Sequence, residues 1–119
     1  SLYDNLGRYF SRLNSNDSAV YYFRKAIEIY PNNAKTMLNI GICHIMNGKC
    51  DSALFYFKKT VELEPTNWQY FENLVRGFQY CHKNKELLHE IDRFLEKYPN
   101  TPDYRSIKNI REKIIHDIK

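Results

Sequence analysis

Cysteine and histidine are the residues of this sequence best suited to chemistry, because thiolate and imidazole groups bind zinc. Cys-His dipeptides stand at 43–44 and 81–82, and Cys50 lies between them. No C-x-x-C pair supports a zinc site. The stretch HEIDR, from His89, begins like the helix of zinc proteases, but Arg93 stands where the second histidine is needed. We therefore expect no metal ion and no cofactor.

Other catalytic patterns are missing from the sequence as well. It contains no glycine-rich phosphate loop and no G-x-S-x-G motif. Its carboxylates are scattered among basic residues, as in HEIDRFLEK, with no isolated pair that could do general acid–base work. The sequence predicts a protein that is not an enzyme.

The bulk composition is that of one folded domain. Of 119 residues, 43% are hydrophobic and 15% aromatic. The 18 basic and 14 acidic residues are interspersed rather than clustered, which argues against nucleic acid as a partner. The longest apolar runs are only a few residues, so we expect no contact with a membrane.

The three cysteines, Cys43, Cys50 and Cys81, are an odd number and include no C-x-x-C pair. This usage favours free, packed thiols in a reducing compartment. We therefore expect a cytoplasmic protein, with a nuclear location also compatible.

A repeat of 34 residues organises the chain. The stretch DSAVYYFRKAIEIYP from Asp17 returns as DSALFYFKKTVELEP from Asp51, and a fainter third copy places Pro99 after Pro65. A fixed period of this length is typical of stacked helical units.

Within one period the pattern predicts a helix, a turn and a second helix. In the second period Met37, Ile40, Gly41 and His44 recur at three- and four-residue spacing, as on one face of a helix. Gly48 follows in a break suited to a positive φ.

The second helix of the period runs up to Pro65, and Asn67 is placed to cap the next helix. Asn33 and Thr101 hold the same position in the other periods, and Pro102 suits a first helical residue. The inner stripe of this second helix comprises Ala53, Phe57, Thr60 and Val61.

These positions resemble the tetratricopeptide repeat (TPR), whose motif has a large residue, Leu-Gly and an aromatic, then Ala, an aromatic, Ala and a final Pro. The first repeat matches with Tyr3, Leu6, Gly7, Phe10, Ala19, Phe23, Ala26 and Pro31. The second matches with Met37, Ile40, Gly41, His44, Ala53, Phe57, Thr60 and Pro65.

The third repeat departs from this motif. Val75 and Leu87 stand where the motif has Gly and Ala, so its two helices should lie farther apart. Gly77 lies two positions late and is not expected to take the place of the motif glycine.

The resemblance implies an all-α fold, an α-solenoid of about seven helices. We predict three repeats over 1–101 (1–33, 34–67 and a divergent 68–101) and a capping helix over 102–119. A first helix of another divergent repeat is the alternative for that last segment. Its apolar stripe comprises Tyr104, Ile107, Ile110, Ile114 and Ile118.

The resemblance also implies a protein interaction module with a concave groove lined by the first helices. Carried over position by position, the candidate groove residues are Asn5, Arg8, Arg12, Lys35, Leu38, Asn39, Ile42, Met46, Asn73, Arg76 and Tyr80.

Three groove asparagines, Asn5, Asn39 and Asn73, recur at one repeat position. Their amides could pair with a bound peptide backbone, similar to the groove of O-linked N-acetylglucosamine transferase. The alternative is that asparagine is simply common there in the family.

An apolar patch on the third predicted helix comprises Leu38, Ile42, Ile45 and Met46. Arginines flank it, so a peptide with apolar and acidic side chains is favoured as the partner. Packing in the core is the alternative explanation.

A comparison with the family position by position disfavours a chaperone C-terminal tail as the partner. The positions that clamp Glu-Glu-Val-Asp in the family hold Asp4, Arg8, Asn39, Gln69 and Asn73, and only Asn39 matches. Asp4 would repel a terminal carboxylate.

Two other functions stay open. Self-association is suggested by Tyr21 and Phe55 on second helices and by Ile114, Ile115 and Ile118 near the end. A substrate-recruiting segment of a larger enzyme is the other, since the helical pattern begins almost at Ser1, as if cut from a longer protein.

Overall fold

A computed structural model describes residues 1–118, and this part of the chain is all-α, as predicted. It forms seven helices: α1 (Leu2–Arg12), α2 (Asn16–Ile29), α3 (Ala34–Met46), α4 (Cys50–Leu63), α5 (Trp68–Tyr80), α6 (Asn84–Lys97) and α7 (Tyr104–Ile118). None of these seven is long and apolar enough to cross a bilayer. Lys119, included in the predicted capping helix, lies outside the described residues.

The helix starts follow the predicted asparagine caps. The side chain of Asn33 accepts a hydrogen bond from the backbone N–H of Thr36 at 3.2 Å, which caps α3. Asn67 accepts from the N–H of Tyr70 at 3.3 Å and caps α5 in the same way. Each cap satisfies an N–H group that the helix itself leaves unpaired.

The predicted start of the last helix was wrong. Helix α7 begins at Tyr104 instead of Pro102, and the buried hydroxyl of Thr101 has no hydrogen-bond partner within the described chain. A 3.1 Å bond from the N–H of Tyr104 to the carbonyl of Thr101 forms a turn there instead. The two residues after Thr101 are therefore used to turn the chain, and α7 starts later.

The turn inside each helix pair has one residue in the left-handed region. Asn14, Gly48 and His82 have φ values of 59°, 72° and 57°, and they lie one repeat length apart. The positive φ predicted for Gly48 is confirmed. Asparagine and histidine both adopt this conformation more readily than most residues other than glycine, so Asn14 and His82 suit these positions.

Close approach of the paired helices depends on glycine in the first two pairs. A Cβ built on Gly7 would lie 2.4 Å from a ring carbon of Phe23. A Cβ on Gly41 would lie 2.6 Å from a ring carbon of Phe57. Side-chain atoms cannot approach so closely, so α1 packs on α2 and α3 on α4 only because these positions are glycine.

The third pair is looser, as the sequence predicts. Helices α5 and α6 contact each other much less than α1 and α2 or α3 and α4 do. Val75 and Leu87, which replace the small residues of the motif, are both buried and hold the two helices apart.

Gly77 has a role that the sequence analysis missed. A Cβ built on it would lie 2.8 Å from a ring carbon of Phe57 and 3.2 Å from a methyl group of Leu54. Gly77 therefore lets α5 approach α4, the second helix of the preceding pair, instead of its own partner α6. The ring of Phe57 lies between two glycines, Gly41 and Gly77.

Two groups of buried residues form the core. A smaller one joins α2 to α3 through Ala19, Phe23, Ile40 and Cys43. A larger one runs from α3 to α7, where Ile107 and Ile114 are almost fully buried. Ile114 was predicted to contribute to a surface for self-association. This prediction was wrong, because the residue packs in the core.

The turn inside one helix pair is linked by side chains to the turn inside the next pair, at equivalent positions. Between the first and second pairs, the side-chain amide of Asn16 donates to the side-chain oxygen of Asn47 at 3.5 Å. One repeat later the same two positions hold Cys50 and Cys81, which form a disulfide with Cα atoms 6.0 Å apart. The prediction of free thiols was therefore wrong for these two cysteines, and the cytoplasmic location loses that support.

Cys43 is the one free cysteine of residues 1–118, and it is buried. Burial raises the pKa of its thiol, and a hydrogen bond with Ser11 opposes that rise to a smaller extent. The predicted free, packed thiol is confirmed at this position. A buried thiol with a raised pKa is a poor nucleophile.

Candidate functional site

Three of the predicted groove residues come together in one cleft between α1 and α3. Arg8, Lys35 and Asn39 line a cavity of about 240 Å³, together with Asp4 and Thr36. Two cations, the two amides of Asn33 and Asn39, and one carboxylate thus face a space large enough for a few atoms of a bound chain. Such a set can hold a carboxylate or a peptide group.

The carboxylate of Asp4 is already hydrogen-bonded within this cleft. Its Oδ1 accepts from the hydroxyl of Thr36 at 2.7 Å, and its Oδ2 accepts from the hydroxyl of Ser1 at 3.3 Å. Asp4 also lies in the first turn of α1, where the helix dipole favours an anion. Asp4 therefore acts in part as a structural link from α1 to α3.

Thr36 is the cleft residue that sequence reasoning missed. Its side chain is 2% exposed, and its only hydrogen bond to another helix goes to Asp4. The sequence contains a signal that Thr36 differs from its equivalents, because the same position holds Leu2 in the first repeat and Tyr70 in the third. A threonine at a position that is otherwise apolar needs a polar partner.

The three recurring asparagines lie on α1, α3 and α5, and they differ in surroundings. Asn5 is exposed, and its side-chain oxygen accepts a hydrogen bond from the guanidinium of Arg8. Asn39 and Asn73 are half-buried. No hydrogen bond of the described residues uses the side chain of either one, so both amides are open to a ligand.

The predicted apolar patch is smaller than the sequence suggests. Leu38 is buried in the larger core, and Ile45 packs against the same core. Ile42 is 40% exposed and Met46 is 65% exposed. For Leu38 and Ile45 the alternative of core packing is correct, and only Ile42 and Met46 remain available to a partner.

The remaining groove candidates are exposed at the surface. Arg12 and Lys35 form no ion pair within residues 1–118, whereas Arg76 pairs with Glu72 at 3.8 Å along α5. Tyr80, near the end of α5, is 63% exposed. An exposed pair one helical turn apart is weak, so Arg76 can exchange Glu72 for an acidic ligand.

The Cys-His dipeptides do not form a site. Both nitrogens of His44 are buried without a hydrogen-bond partner, and its ring stacks on Tyr56 at 5.8 Å. Burial lowers the pKa of His44, and the positive charges of Lys49 and Arg24 lower it further. Among residues 1–118 no three His, Cys, Asp or Glu side chains are grouped so as to hold a metal ion.

Two sequence models of the tetratricopeptide repeat match the chain, one over residues 1–33 and one over residues 22–55. The fold is similar to a solved structure of the first TPR of Spaghetti (RPAP3) bound to the HSP90 peptide SRMEEVD. The TM-score is 0.71 at 18% identity, over 98% of this chain and 90% of that one. This chain is a tetratricopeptide repeat protein.

The tetratricopeptide repeat arrangement of its helices also resembles the type III secretion translocator chaperone SycD of Yersinia enterocolitica. The TM-score is 0.69 at 12% identity, over 98% of this chain and 83% of that one. At these identities the likeness shows the fold alone. No curated protein sequence matches this tetratricopeptide repeat chain.

The exclusion of a chaperone tail is contradicted in part. The tetratricopeptide repeats of the Spaghetti structure bind a peptide that ends in Glu-Glu-Val-Asp. The exclusion rested on the mismatch at four of the five clamp positions and on repulsion by Asp4, whose two oxygens accept hydrogen bonds from Thr36 and Ser1. The charge of Asp4 is therefore not a sufficient reason to reject such a tail.

Proposed function

We propose that this protein is a non-catalytic interaction module that binds a polypeptide segment along the face formed by α1, α3 and α5. The observation that carries the proposal is the cleft where Arg8, Lys35 and Asn39 meet. The tetratricopeptide repeat fold supports a protein partner, because both structural neighbours are named for a bound peptide or for chaperone action. We include no cofactor in this function.

The favoured ligand combines acidic and apolar side chains. Arg8 and Lys35 offer charge-assisted hydrogen bonds to a carboxylate on one side of the face. Ile42 and Met46 offer exposed apolar surface near its middle, and Arg76 offers a further cation on α5. The peptide SRMEEVD has this composition, so it is a suitable first probe.

A peptide array tests this proposal. The array carries SRMEEVD together with peptides of acidic, apolar and basic composition, and it is probed with the wild type and with the double variant Asn39→Ala/Arg76→Ala. The matched control is Asn109→Ala/Arg105→Ala on α7, which removes the same two residue types from an exposed surface.

We expect the groove variant to lose at least tenfold in affinity for acidic, apolar peptides, since it lacks one amide and one charged contact. The α7 control should bind as the wild type does. If the groove variant retains every peptide at full affinity, binding does not occur along α1, α3 and α5.

Self-association is a second candidate function, favoured by exposed aromatic residues on the second helices. Tyr21 is 57% exposed and Phe55 is 55% exposed, and they lie one repeat length apart. Lys25 and Lys59 lie 5.5 and 5.6 Å from the respective ring centroids. Light scattering that shows a monomer at every concentration would reject this candidate.

Two finer expectations differ in their support. We do not carry the predicted cytoplasmic location further, because the Cys50–Cys81 disulfide is typical of an oxidising compartment. A recruiting segment within a larger enzyme stays a proposal, since it is compatible with an interaction module.

A further inference from the structure

The exposed aromatic rings of the second helices each stand between an acid and a base. On α2, Asp17 lies four residues before Tyr21 and Lys25 lies four residues after it. Residues four apart share one face of a helix, so α2 presents the order acid, ring, base along its outer side. The lysine ammonium lies 5.5 Å from the centroid of the tyrosine ring.

Helix α4 repeats this order one repeat length later with Asp51, Phe55 and Lys59, all three of them exposed. The ammonium of Lys59 lies 5.6 Å from the centroid of the Phe55 ring. Because the two stretches hold the same position in successive repeats, their side chains project from one surface of the stack. We call the surface formed by these six residues of α2 and α4 the α2–α4 face.

The third repeat does not continue this surface. The equivalent positions of α6 hold Lys85, His89 and Arg93, so a lysine replaces the acid and a histidine replaces the large ring. All three are exposed. The order acid, ring, base is therefore confined to the first two repeats, and a partner that recognises it contacts α2 and α4 without α6.

The carboxylates of this face each keep one oxygen free. Oδ1 of Asp17 accepts a hydrogen bond from the amide of Asn47 at 3.0 Å, and Oδ1 of Asp51 accepts one from Lys83 at 2.9 Å. Neither Oδ2 has a hydrogen bond or ion pair to any of residues 1–118. The side chain of Asp51 is 95% exposed, so a cation from outside can reach it.

The lysines of this face are bound weakly within the chain. Lys25 forms no ion pair in the part of the chain that the structure describes. Lys59 lies 3.8 Å from Glu62 along the same helix, and both side chains are largely exposed. An exposed pair of this kind contributes little, so both lysines can take a carboxylate from another molecule.

We propose that the α2–α4 face binds a second copy of this chain, with α2 antiparallel to α2 and α4 antiparallel to α4. This inference rests on self-association, the second candidate function above. In a twofold-symmetric dimer one surface meets itself, so it must complement its own reverse. The order acid, ring, base does so, because antiparallel packing brings acid to base and ring to ring.

The contacts on α2 follow from this symmetry. Asp17 lies opposite Lys25 of the second copy, and the two Tyr21 rings meet at the twofold axis. Arg24, the other cation of this stretch, lies opposite the small, exposed Ser18. No charge then faces a like charge, whereas parallel packing would place acid against acid and base against base.

The contacts on α4 are the same at the equivalent positions. Asp51 lies opposite Lys59 of the second copy, the two Phe55 rings meet, and Lys58 lies opposite Ser52. The dimer therefore buries four aromatic rings between four ion pairs. A ligand of a single charge gains no such match, because it is attracted at one end of each helix and repelled at the other.

Sedimentation equilibrium of the 119-residue chain tests the contribution of the rings. The variant Tyr21→Ser/Phe55→Ser should raise the dissociation constant of the dimer about tenfold or more, because it removes both ring pairs. The matched control is Tyr9→Ser/Tyr104→Ser, which removes two exposed rings from α1 and α7. The control should dimerise as the wild type does.

Charge exchange tests the antiparallel order. The acidic variant Lys25→Glu/Lys59→Glu and the basic variant Asp17→Lys/Asp51→Lys should each be monomeric, because like charges then face each other. An equimolar mixture of the two should form a heterodimer, since every acid again faces a base. Circular dichroism verifies that each variant keeps its helices, and the ring variant decides the question if one of them does not.

The control for charge exchange is Glu112→Lys/Lys113→Glu on α7, which reverses two exposed charges and should leave the dimer unchanged. A wild type that is monomeric at every concentration overturns this proposal together with the second candidate function. That result includes the case in which the face takes only a protein of another sequence.

A wild-type dimer that the ring variant retains overturns the α2–α4 face alone, because the chain then associates through another surface. Charge variants that dimerise singly, or that fail to pair when mixed, overturn the antiparallel order. The groove variant Asn39→Ala/Arg76→Ala should dimerise normally, and the ring variant should bind the array peptides normally. Dimerisation and peptide binding can therefore fail separately.

Discussion

At the scale of the residue, His44 shows how a buried polar side chain can make stability depend on pH. It occupies the position that Phe10 and Phe78 hold in the other two repeats. It is 6% exposed, and neither of its nitrogens has a hydrogen-bond partner. Burial and the nearby cations lower its pKa from the ordinary value of 6.5.

We therefore predict that the free energy of unfolding decreases as the pH falls below about 6.5. In that range the unfolded chain binds a proton at His44 that the folded chain does not bind. Above pH 6.5 the imidazole is neutral in both states, so this loss of stability disappears. Thermal unfolding between pH 5 and pH 8 measures the effect.

The variant His44→Phe assigns this dependence to one residue. It should stabilise the protein by about 1–2 kcal/mol, because it removes two unpaired polar groups from the core. The fall in stability below pH 6.5 should become smaller in the variant. An unchanged pH profile would show that another group is responsible. The exposed His116→Phe is the control.

Gly77 is the residue where packing depends most directly on the absence of a side chain. We predict that Gly77→Ala destabilises the protein by about 1–3 kcal/mol through overpacking. The ring of Phe57 cannot move away from a new Cβ, because Gly41 lies on its other side.

Chemical denaturation of Gly77→Ala measures this loss, with Gln79→Ala as the control on the exposed face of α5. The control should lie within about 0.5 kcal/mol of the wild type. A Gly77→Ala variant as stable as the wild type would mean that α5 does not approach α4 as closely as described.

At the scale of the element, the helices could be predicted from the sequence and part of their contacts could not. The 34-residue period predicts the helix pairs, and the asparagine caps predict where α3 and α5 begin. Leu38 was assigned to the groove because spacing cannot separate the two sides of a helix that has neighbours on both. The disulfide was missed because Cys50 and Cys81 meet only after successive turns stack.

The disulfide predicts a measurable dependence on reductant. Its loop spans 31 residues, for which a loop-entropy argument gives about 3–4 kcal/mol of stabilisation. A dithiol reductant should therefore lower the midpoint of denaturation of the wild type.

The double variant Cys50→Ser/Cys81→Ser is the control for that experiment. It should start from the lower stability and should not respond to reductant. If the wild type is equally stable with and without reductant, the bond does not contribute to the fold.

At the scale of the whole molecule, seven helices stack into a body of 43 × 28 × 18 Å with two different surfaces. One surface is formed by α1, α3 and α5 and has exposed cations, amides and the side chains of Ile42 and Met46. The other includes a cleft lined by residues of α4, α5 and α6, among them Glu90. The repeats keep the arrangement of the helices constant. Different residues at equivalent positions, such as Tyr56 in the second repeat and Glu90 in the third, distinguish one repeat from the next.

The candidate groove site could be predicted from the sequence only in part. The resemblance indicated the helix face that we propose for binding, and Arg8, Lys35 and Asn39 meet there. The need of Thr36 for a polar partner could be predicted. That this partner is Asp4 could not be predicted, because Asp4 lies on another helix and meets Thr36 only after the pairs stack.

Peptide binding along α1, α3 and α5 is tested most directly by an NMR titration of the protein with the peptide that binds most tightly in the array. We expect the backbone signals of Arg8, Asn39 and Ile42 to shift on titration, while those of the exposed faces of α2 and α4 do not shift. Shifts confined to α2, α4 and α6, with none on α1, α3 or α5, would contradict it.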